Sequence, residues 1–566
     1  MSSQNVYLIN LETGGNQAYV YSTNKLRDVV GASELLYRTG TLYVKRAVEK
    51  VTQKDGKENG HIETIIVTSG KAMLLADSEE TAKRFIRAWS EIVTEEAPGV
   101  DAVAVYSRES IDLDKPLDRD LDGSFMKAFR DARKRYNFHR MNRPSTLARF
   151  QRIPVAASCQ HSGEPAASLS REGYPISRST YAKIEVTRGK DKDIFETRMS
   201  GLYPEGMGDI FSREKGLEAL EGLGWLGVVH ADGNGLGQFF INFDKYVKKL
   251  DGDNAAGRNY VDRYRKFSGA LEKISQESFK KAVADVFESD KTNKFRADIV
   301  PIVVGGDDLT AVMDGKKSVA FAKRYMEHFC QATESCPDVR PLLEAAGLPR
   351  LGMCAGICIV KPHFPFSEAY RLAEELTKEA KKIKKAFGDD AMALDFHVLY
   401  DSVATSMKEI RGKLAIKETG TTRHMTAKPY AILREQDRER TSQNPEEQKT
   451  LQIWRNVHDF EKFLSAVRAL RAKKEKEEEK NALLLPSSQS HAVREDLFDQ
   501  HLETQEAEWR YLMGRYKEFM KEWPCKSLYV EADSAFYTFF LDALESADFM
   551  EGLCGDERER NGGKAE

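Results

Sequence analysis

Three carboxylates and a set of glycines carry the chemistry this chain could perform. From Val303 to Val312 two short apolar runs flank Gly305-Gly306-Asp307-Asp308, which reads as a β-hairpin with two carboxylates on its turn. Glycine at such a tip supplies backbone with φ > 0 and lets another backbone or a phosphate come close. Two adjacent ionised carboxylates repel each other, and a bound divalent cation relieves the repulsion. Taken alone, the stretch reads equally well as an ordinary surface turn. A second signal lies upstream, where the apolar run Gly227-Val228-Val229-His230 enters Ala231-Asp232-Gly233-Asn234-Gly235-Leu236-Gly237. Asp232 stands at the end of that strand. Gly233, Asn234, Gly235 and Gly237 let backbone groups approach a phosphate where the next helix begins. A third signal is a helix over 367–387, on which Lys378 and Lys381 share a face where ammonium groups could meet triphosphate oxygens. Lysines on a helix face are as a rule simply solvated, so this signal counts only beside the others.

The elements that must position these residues come twice. Strand-like runs at 6–9 and 18–21 are followed by a helix from about 22–24, apolar at Leu26, Val29, Val30, Leu35 and Leu36. Next come a hairpin (61–67 and 72–76, turning at Thr68-Ser69-Gly70-Lys71), an amphipathic helix over 78–95 and a strand over 100–106. The order β-α-β-β-α-β is ferredoxin-like. After a charged helix at about 119–141, the order recurs: strand 225–230, helical 235–288, hairpin 297–304 and 309–313, helix 315–335, strand 351–360, helix 367–387, strand 391–399. The expected fold class is therefore α+β, with two ferredoxin-like units in tandem and a mainly helical C-terminal domain that includes helices at about 500–521 and 527–548. The expected boundaries are 1–142, a linker or small subdomain at 143–220 with short strands such as 181–186, 221–400, and 401–566. In a ferredoxin-like sheet the first strand lies beside the central hairpin, which brings Asp232 next to Asp307 and Asp308. Three carboxylates around one point suit two hard cations, one activating a 3′-hydroxyl and the other holding a triphosphate for in-line displacement at phosphorus.

The bulk figures exclude little but point one way. With 566 residues, 41% hydrophobic and 31% charged, the chain has the composition of a protein with several packed domains. A net charge of −3 gives no global argument for nucleic-acid binding. Seven cysteines without a CxxC pair argue for a reducing compartment. The N-terminus carries no signal-peptide pattern and no apolar stretch is long enough to span a bilayer, so a cytoplasmic protein without membrane contact is expected. Cys159-Gln160-His161 has no second pair at ligand spacing, and packing explains it better than metal. The charged run 473–480 reads as a solvated helix face or a mobile loop.

Asp232-Gly233-x-Gly235-x-Gly237, Gly305-Gly306-Asp307-Asp308 and the later Ala373-x7-Lys381 helix together resemble the palm domain of nucleotide cyclases, the GGDEF diguanylate cyclases included. The combination is more similar still to the large polymerase subunit of type III CRISPR effector complexes, which has two palm domains in tandem. A helix of that family's first palm resembles the stretch from Lys25 through Ser33 to Leu35. The resemblance implies an enzyme that converts ATP, or another NTP, into cyclic or linear oligoadenylate second messengers of anti-phage defence. It implies that Asp232, Asp307 and Asp308 are catalytic and hold Mg²⁺ or Mn²⁺. Gly233, Asn234, Gly235, Gly237, Gly305, Gly306, Lys378 and Lys381 would then line the nucleotide site. The first palm, with no carboxylate at 68–71, would be a catalytically degenerate partner completing the pocket through Arg27 and Ser33. Implied partners are the NTP, crRNA or target RNA with effector subunits, and a downstream effector gated by the cyclic nucleotide. The oligomeric state stays open. Departures from the family are the lack of a preceding HD nuclease domain, the lack of zinc-binding cysteines between the palms, and Asn234 where relatives often have a second Asp. They suggest an HD-lacking or stand-alone member. The alternatives are a GGDEF-like cyclic dinucleotide synthase using GTP and a non-catalytic, nucleotide-binding scaffold of an RNA-guided complex.

Overall fold

The computed structural model describes residues 5–52, 60–144, 155–189, 192–205, 220, 222–287, 298–400, 406–418, 420–439, 444–473, 483–499 and 501–553. Strands β1 (Tyr7–Gly14), β2 (Ile62–Thr68), β3 (Lys71–Ala76) and β4 (Asp101–Tyr106) form an antiparallel sheet in the order β2-β3-β1-β4. Helix α1 (Leu26–Gly40) lies between β1 and β2, and α2 (Glu79–Glu96) joins β3 to β4. The Ser78 side chain caps α2 by accepting from the Thr81 N–H, and Phe85, Trp89, Ile92 and Val93 form the buried stripe that holds the helix on its sheet.

The second unit repeats the plan. Strands β5 (Leu226–Gly233), β6 (Ile299–Gly305), β7 (Asp308–Asp314) and β8 (Met353–Val360) lie in the order β6-β7-β5-β8. Strand β9 (Met392–Val398) adds parallel to β8, and the short β10 (Tyr430–Ala431) closes the far edge. Helices α3 (Gly257–Phe287), α4 (Ser318–Ser335) and α5 (Phe366–Ala380) make the connections. Every residue of β8 is buried, as a strand covered on both faces requires.

The two palms pack face to face, each laying its first long helix against the other's hairpin. In β6 the pairing with β7 shifts between Pro301 and Val303, and Ser33 of α1 donates its hydroxyl to the Ile302 carbonyl at that irregularity. In β2 the pairing shifts between Thr64 and Ile66, and Arg265 of α3 donates to the Thr64 carbonyl at 3.1 Å. A bulge leaves backbone groups outside the ladder, and here each is met by a side chain from the opposite palm.

Four local expectations are corrected. Residues 16–20 are helical rather than extended (Asn16–Val20), and the stretch read as a strand at 181–186 lies in the helix Arg178–Arg188, capped by Ser177. Lys183 is buried on that helix, and its ammonium donates to the Tyr19 carbonyl and to Ser22 Oγ, both at 2.8 Å. The helical 235–288 breaks into Leu236–Ile241, Phe243–Asp251 and α3. The C-terminal domain is helical over Pro445–His458, Phe460–Arg471, Ser487–Asp499 and Leu502–Arg515. It also holds a four-stranded sheet of Ala415–Glu418, Thr421–His424, Ala535–Tyr537 and Val530–Ala532, where a helix over 527–548 was expected. Asp533 and Ser534, at φ 48° and 61°, make the turn that breaks that helix. The charged run beyond Lys473 lies outside the described residues. No described helix is long and apolar enough to cross a membrane.

Candidate active site

The site is built where β5 ends beside the β6–β7 turn. The β5–β7 ladder finishes with Ala231 opposite Leu309, so Asp232 and Asp308 stand one residue beyond it on neighbouring strands. Gly305 pairs with Asp308, leaving Gly306 and Asp307 as a two-residue turn with φ +60° at Gly306, the position a II′ turn reserves for glycine. Gly233 matters for space: a Cβ there would lie 2.7 Å from the Asp307 Cβ. The result is a carboxylate cluster in which oxygens of Asp232, Asp307 and Asp308 all lie within 4.8 Å of one another.

Such a cluster resists ionisation. Desolvation in the cleft, followed by the charge of Asp232, pushes the Asp307 carboxyl up to about 6. The Asp308 carboxyl is pushed well up by desolvation and then by its neighbours Asp307 and Asp232. Two cations oppose this. Lys381, on the 3₁₀ turn Lys381–Ile383 that follows α5, pairs with Asp232 Oδ2 and lies 3.3 Å from the Gly233 carbonyl. Lys71, from the first palm's hairpin, is close enough that its charge also lowers the Asp307 pKa. The donor set is all oxygen and carries more negative charge than its two ammonium groups neutralise. It therefore fits a hard divalent cation such as Mg²⁺ or Mn²⁺, with Asp232, Asp307 and Asp308 as the residues to hold it.

The other sequence-derived candidates divide. Gly305 and Gly306 form the tip, and Gly235, at φ +70°, starts the short helix that carries Gly237. Asn234 is buried and ties its loop down: its amide donates to the Ala391 carbonyl at 2.8 Å and its N–H to the Gly352 carbonyl at 2.9 Å. Lys378 is exposed and pairs with Glu374 at 3.0 Å. Ser33 is committed to Ile302, and Arg27 lies half-buried in the first turn of α1. Sequence reasoning missed Glu272. This residue of α3 accepts the Gly306 N–H at 3.0 Å, and burial raises its carboxyl pKa. Also missed was an aromatic seam across the palms, in which Tyr21 stacks on Tyr370 at 3.7 Å and Tyr370 meets His230 edge-on at 5.5 Å. Tyr21 lies in a stretch read as a strand, and nothing in its sequence context marks it.

A ferredoxin-like sheet with carboxylates at the end of its first strand and on its central hairpin is a palm domain of the nucleotide-cyclase type, and this chain has two palms in tandem. Residues 225–393 match the family model of the Cas10/Cmr2 second palm domain. Over those residues the chain is similar to the large subunit of type III CRISPR effectors. Solved structures similar to it include the Csm1–Csm4 cassette in complex with cA4 (12% identity, TM-score 0.49, covering 98% of this chain and 70% of that one). Csm1 in T. onnurineus is similar at 13% identity, with a TM-score of 0.47 and coverage of 97% and 70%. The Csm1–Csm4 cassette in complex with AMPPNP follows at 12% and 0.46, covering 98% and 70%. Among curated proteins, none matches the chain.

Proposed function

We propose that this chain is a metal-dependent nucleotidyltransferase that joins ATP into a cyclic oligonucleotide messenger for antiviral defence. Residues 221–400 would serve as the working palm and 1–142 as its carboxylate-free partner. The observation that supports this most directly is the trio Asp232, Asp307 and Asp308 with Lys381 at its side. A divalent cation held by the three carboxylates would neutralise triphosphate charge and acidify the attacking 3′-hydroxyl. Lys381 keeps Asp232 in place and offers an ammonium to phosphate oxygens. Glu272 fixes the hairpin tip through the Gly306 N–H, and so sets the direction in which Asp307 and Asp308 project. Lys71 adds positive charge from the first palm, which suits a polyanionic substrate lying between the two. In this reading the enzyme works with RNA and effector subunits, and its product is read by a nucleotide-gated effector.

The test is product analysis. Purified protein is incubated with each labelled NTP and Mg²⁺ or Mn²⁺, with and without RNA, and products are identified by mass spectrometry. The expected result is a cyclic adenylate whose formation is abolished by Asp307→Ala/Asp308→Ala. Product from GTP alone would assign the chain to cyclic dinucleotide synthesis instead. No product from any NTP, under every RNA condition, would leave a nucleotide-binding scaffold.

A further inference from the structure

Away from the carboxylate cluster, a cavity of about 360 Å³ opens between the second palm and the C-terminal domain, within the size range of small-molecule sites. Part of its wall is aromatic and continuous. Trp454 lies against His458 with centroids 4.5 Å apart, His458 meets Tyr537 edge-on at 5.8 Å, and Tyr537 stacks on His424 at 4.7 Å. His458 gives its Nδ1 proton to the carbonyls of Ala427 and Pro429, at 2.8 and 2.9 Å, and burial holds its pKa down at about 4, so this wall is uncharged.

Asp395 of β9 lines the same cavity and is 1% exposed. One carboxylate oxygen, Oδ1, accepts from Arg411. The other, Oδ2, is buried without a partner among the described residues. A buried acceptor left unmade is costly, and this one belongs to a residue of the cavity wall, so it points to a missing donor. The nearby cations do not supply it. Arg411 is taken up by Asp395 and by Thr426 at 2.9 Å, and Lys428 by the Phe396 carbonyl at 3.1 Å and Asp542 at 3.3 Å. With its cations already paired, the cavity is poorly suited to an anion. It suits a flat, neutral molecule that stacks on rings and offers an N–H.

We propose that this cavity binds an aminopurine base, as a nucleoside or as one base of an RNA strand, with the ring on the aromatic wall and its amino group donating to Asp395 Oδ2. Glu379, two residues before Lys381, also lines the cavity, so an occupant would contact the turn that serves the carboxylate cleft.

The experiment uses the full chain in chelator, so that no metal–triphosphate occupies the palm cleft. Adenosine and guanosine are titrated by equilibrium dialysis and ligand-observed saturation-transfer NMR. Purine riboside, which has the same ring system but no N–H on the base, and a single-stranded oligoadenylate serve as further arms. Saturable binding of one aminopurine nucleoside or of the oligoadenylate is expected, the responding arm identifying the source. Binding of purine riboside should be at least about tenfold weaker. Asp395→Asn would turn an amide donor toward the ligand's own donor, and should cost about tenfold or more. Trp454→Leu, at a half-buried position, removes the stacking surface without touching the Asp395–Arg411 pair, and keeps the test open if Asp395→Asn melts early. Asp307→Ala/Asp308→Ala should bind as wild type. Absence of saturable binding in every arm would overturn the proposal and leave Oδ2 to water. Equal affinity for purine riboside, or loss of binding in the Asp307/Asp308 variant, would overturn it as well.

Discussion

Replacing Asp307 by Asn should stabilise the metal-free protein at neutral pH. In the folded state the Asp307 carboxyl rises from its ordinary 3.8 to about 6, because it is desolvated beside Asp232. At roughly 1.36 kcal/mol per pH unit the full rise is worth about 3 kcal/mol. The side chain is partly open to the cleft and water screens it, so about 1–2 kcal/mol is the figure to expect. The sign follows from linkage. A carboxyl with a raised folded pKa binds its proton more tightly folded than unfolded, so stability is lost as pH rises from about 3.8 through about 6 and is then level. Asn carries no such cost, and the gap between variant and wild type should open over that window. Thermal melts in chelator at about pH 4.5 and 7.5 should therefore place the variant about 2–8 °C above wild type at the higher pH, with a much smaller difference at the lower. Adding Mg²⁺ should reverse the order. A cation at a hundred times its dissociation constant adds about 2.7 kcal/mol to wild type, more than that gap, and much less to a variant short of one ligand. A variant less stable than wild type at pH 7.5 in chelator, or one that gains as much from Mg²⁺, would refute this account of the cluster.

Three further outcomes follow from the same geometry. Gly233→Ala puts a methyl 2.7 Å from the Asp307 Cβ, so overpacking should cost about 1–3 kcal/mol and metal affinity measured by calorimetry should fall at least about tenfold. Lys381→Met breaks a half-exposed pair worth at most about 1 kcal/mol, so melting should hardly move while product formation falls by about 10²–10³; matched losses in both would mean that the lysine is structural. Ser33→Ala leaves the Ile302 carbonyl without its donor between the palms and should cost about 1 kcal/mol in melts with metal affinity unchanged. A rise in KM for ATP at unchanged stability would instead make Ser33 a nucleotide contact.

The palms were legible because each level of the sequence agreed. The stripe Phe85, Trp89, Ile92 fixes α2, the continuous apolar run of β8 marks a strand buried on both faces, and the ferredoxin-like order itself requires Asp232 to fall beside Asp307 and Asp308. What could not be read depends on contacts between distant segments. The helix Arg178–Arg188 looks β-branched and extended until Lys183 reaches the Tyr19 carbonyl. Glu272 is one charge among many on a 31-residue helix, and only the folded hairpin distinguishes it. The strand at 535–537 pairs with the segment near 421–424, a partner too far along the chain for local periodicity to reveal, and 530–532 then pairs with 535–537.

The asymmetry of the two hairpins has a physical reading. Aligned by their last ladder pairs, Thr68–Lys71 and Gly305–Asp308, the first palm sets an ammonium where the second sets a carboxylate. Its tip is also held by backbone: the Gly70 N–H donates to the Leu36 carbonyl at 2.9 Å, and the Gly70 carbonyl accepts from Thr13 N–H at 2.7 Å. In the second palm the corresponding anchor is a side chain, Glu272, bonded to the amide of Gly306, so both tip carboxylates stay free to face the cleft. Two copies of the carboxylate tip facing each other would crowd their charge into one cleft, and the carboxyl of Asp307 already holds its proton to about pH 6 with only one such tip present. Lys71, which pairs with Glu12 at 3.4 Å and still lowers the Asp307 pKa, offsets that charge from the opposite palm. Restoring an acid there, as Lys71→Asp, should therefore raise the Asp307 pKa further and weaken the metal-free fold at pH 7.5 more than at pH 4.5. Equal destabilisation at both pH values would mean that Lys71 acts through packing alone.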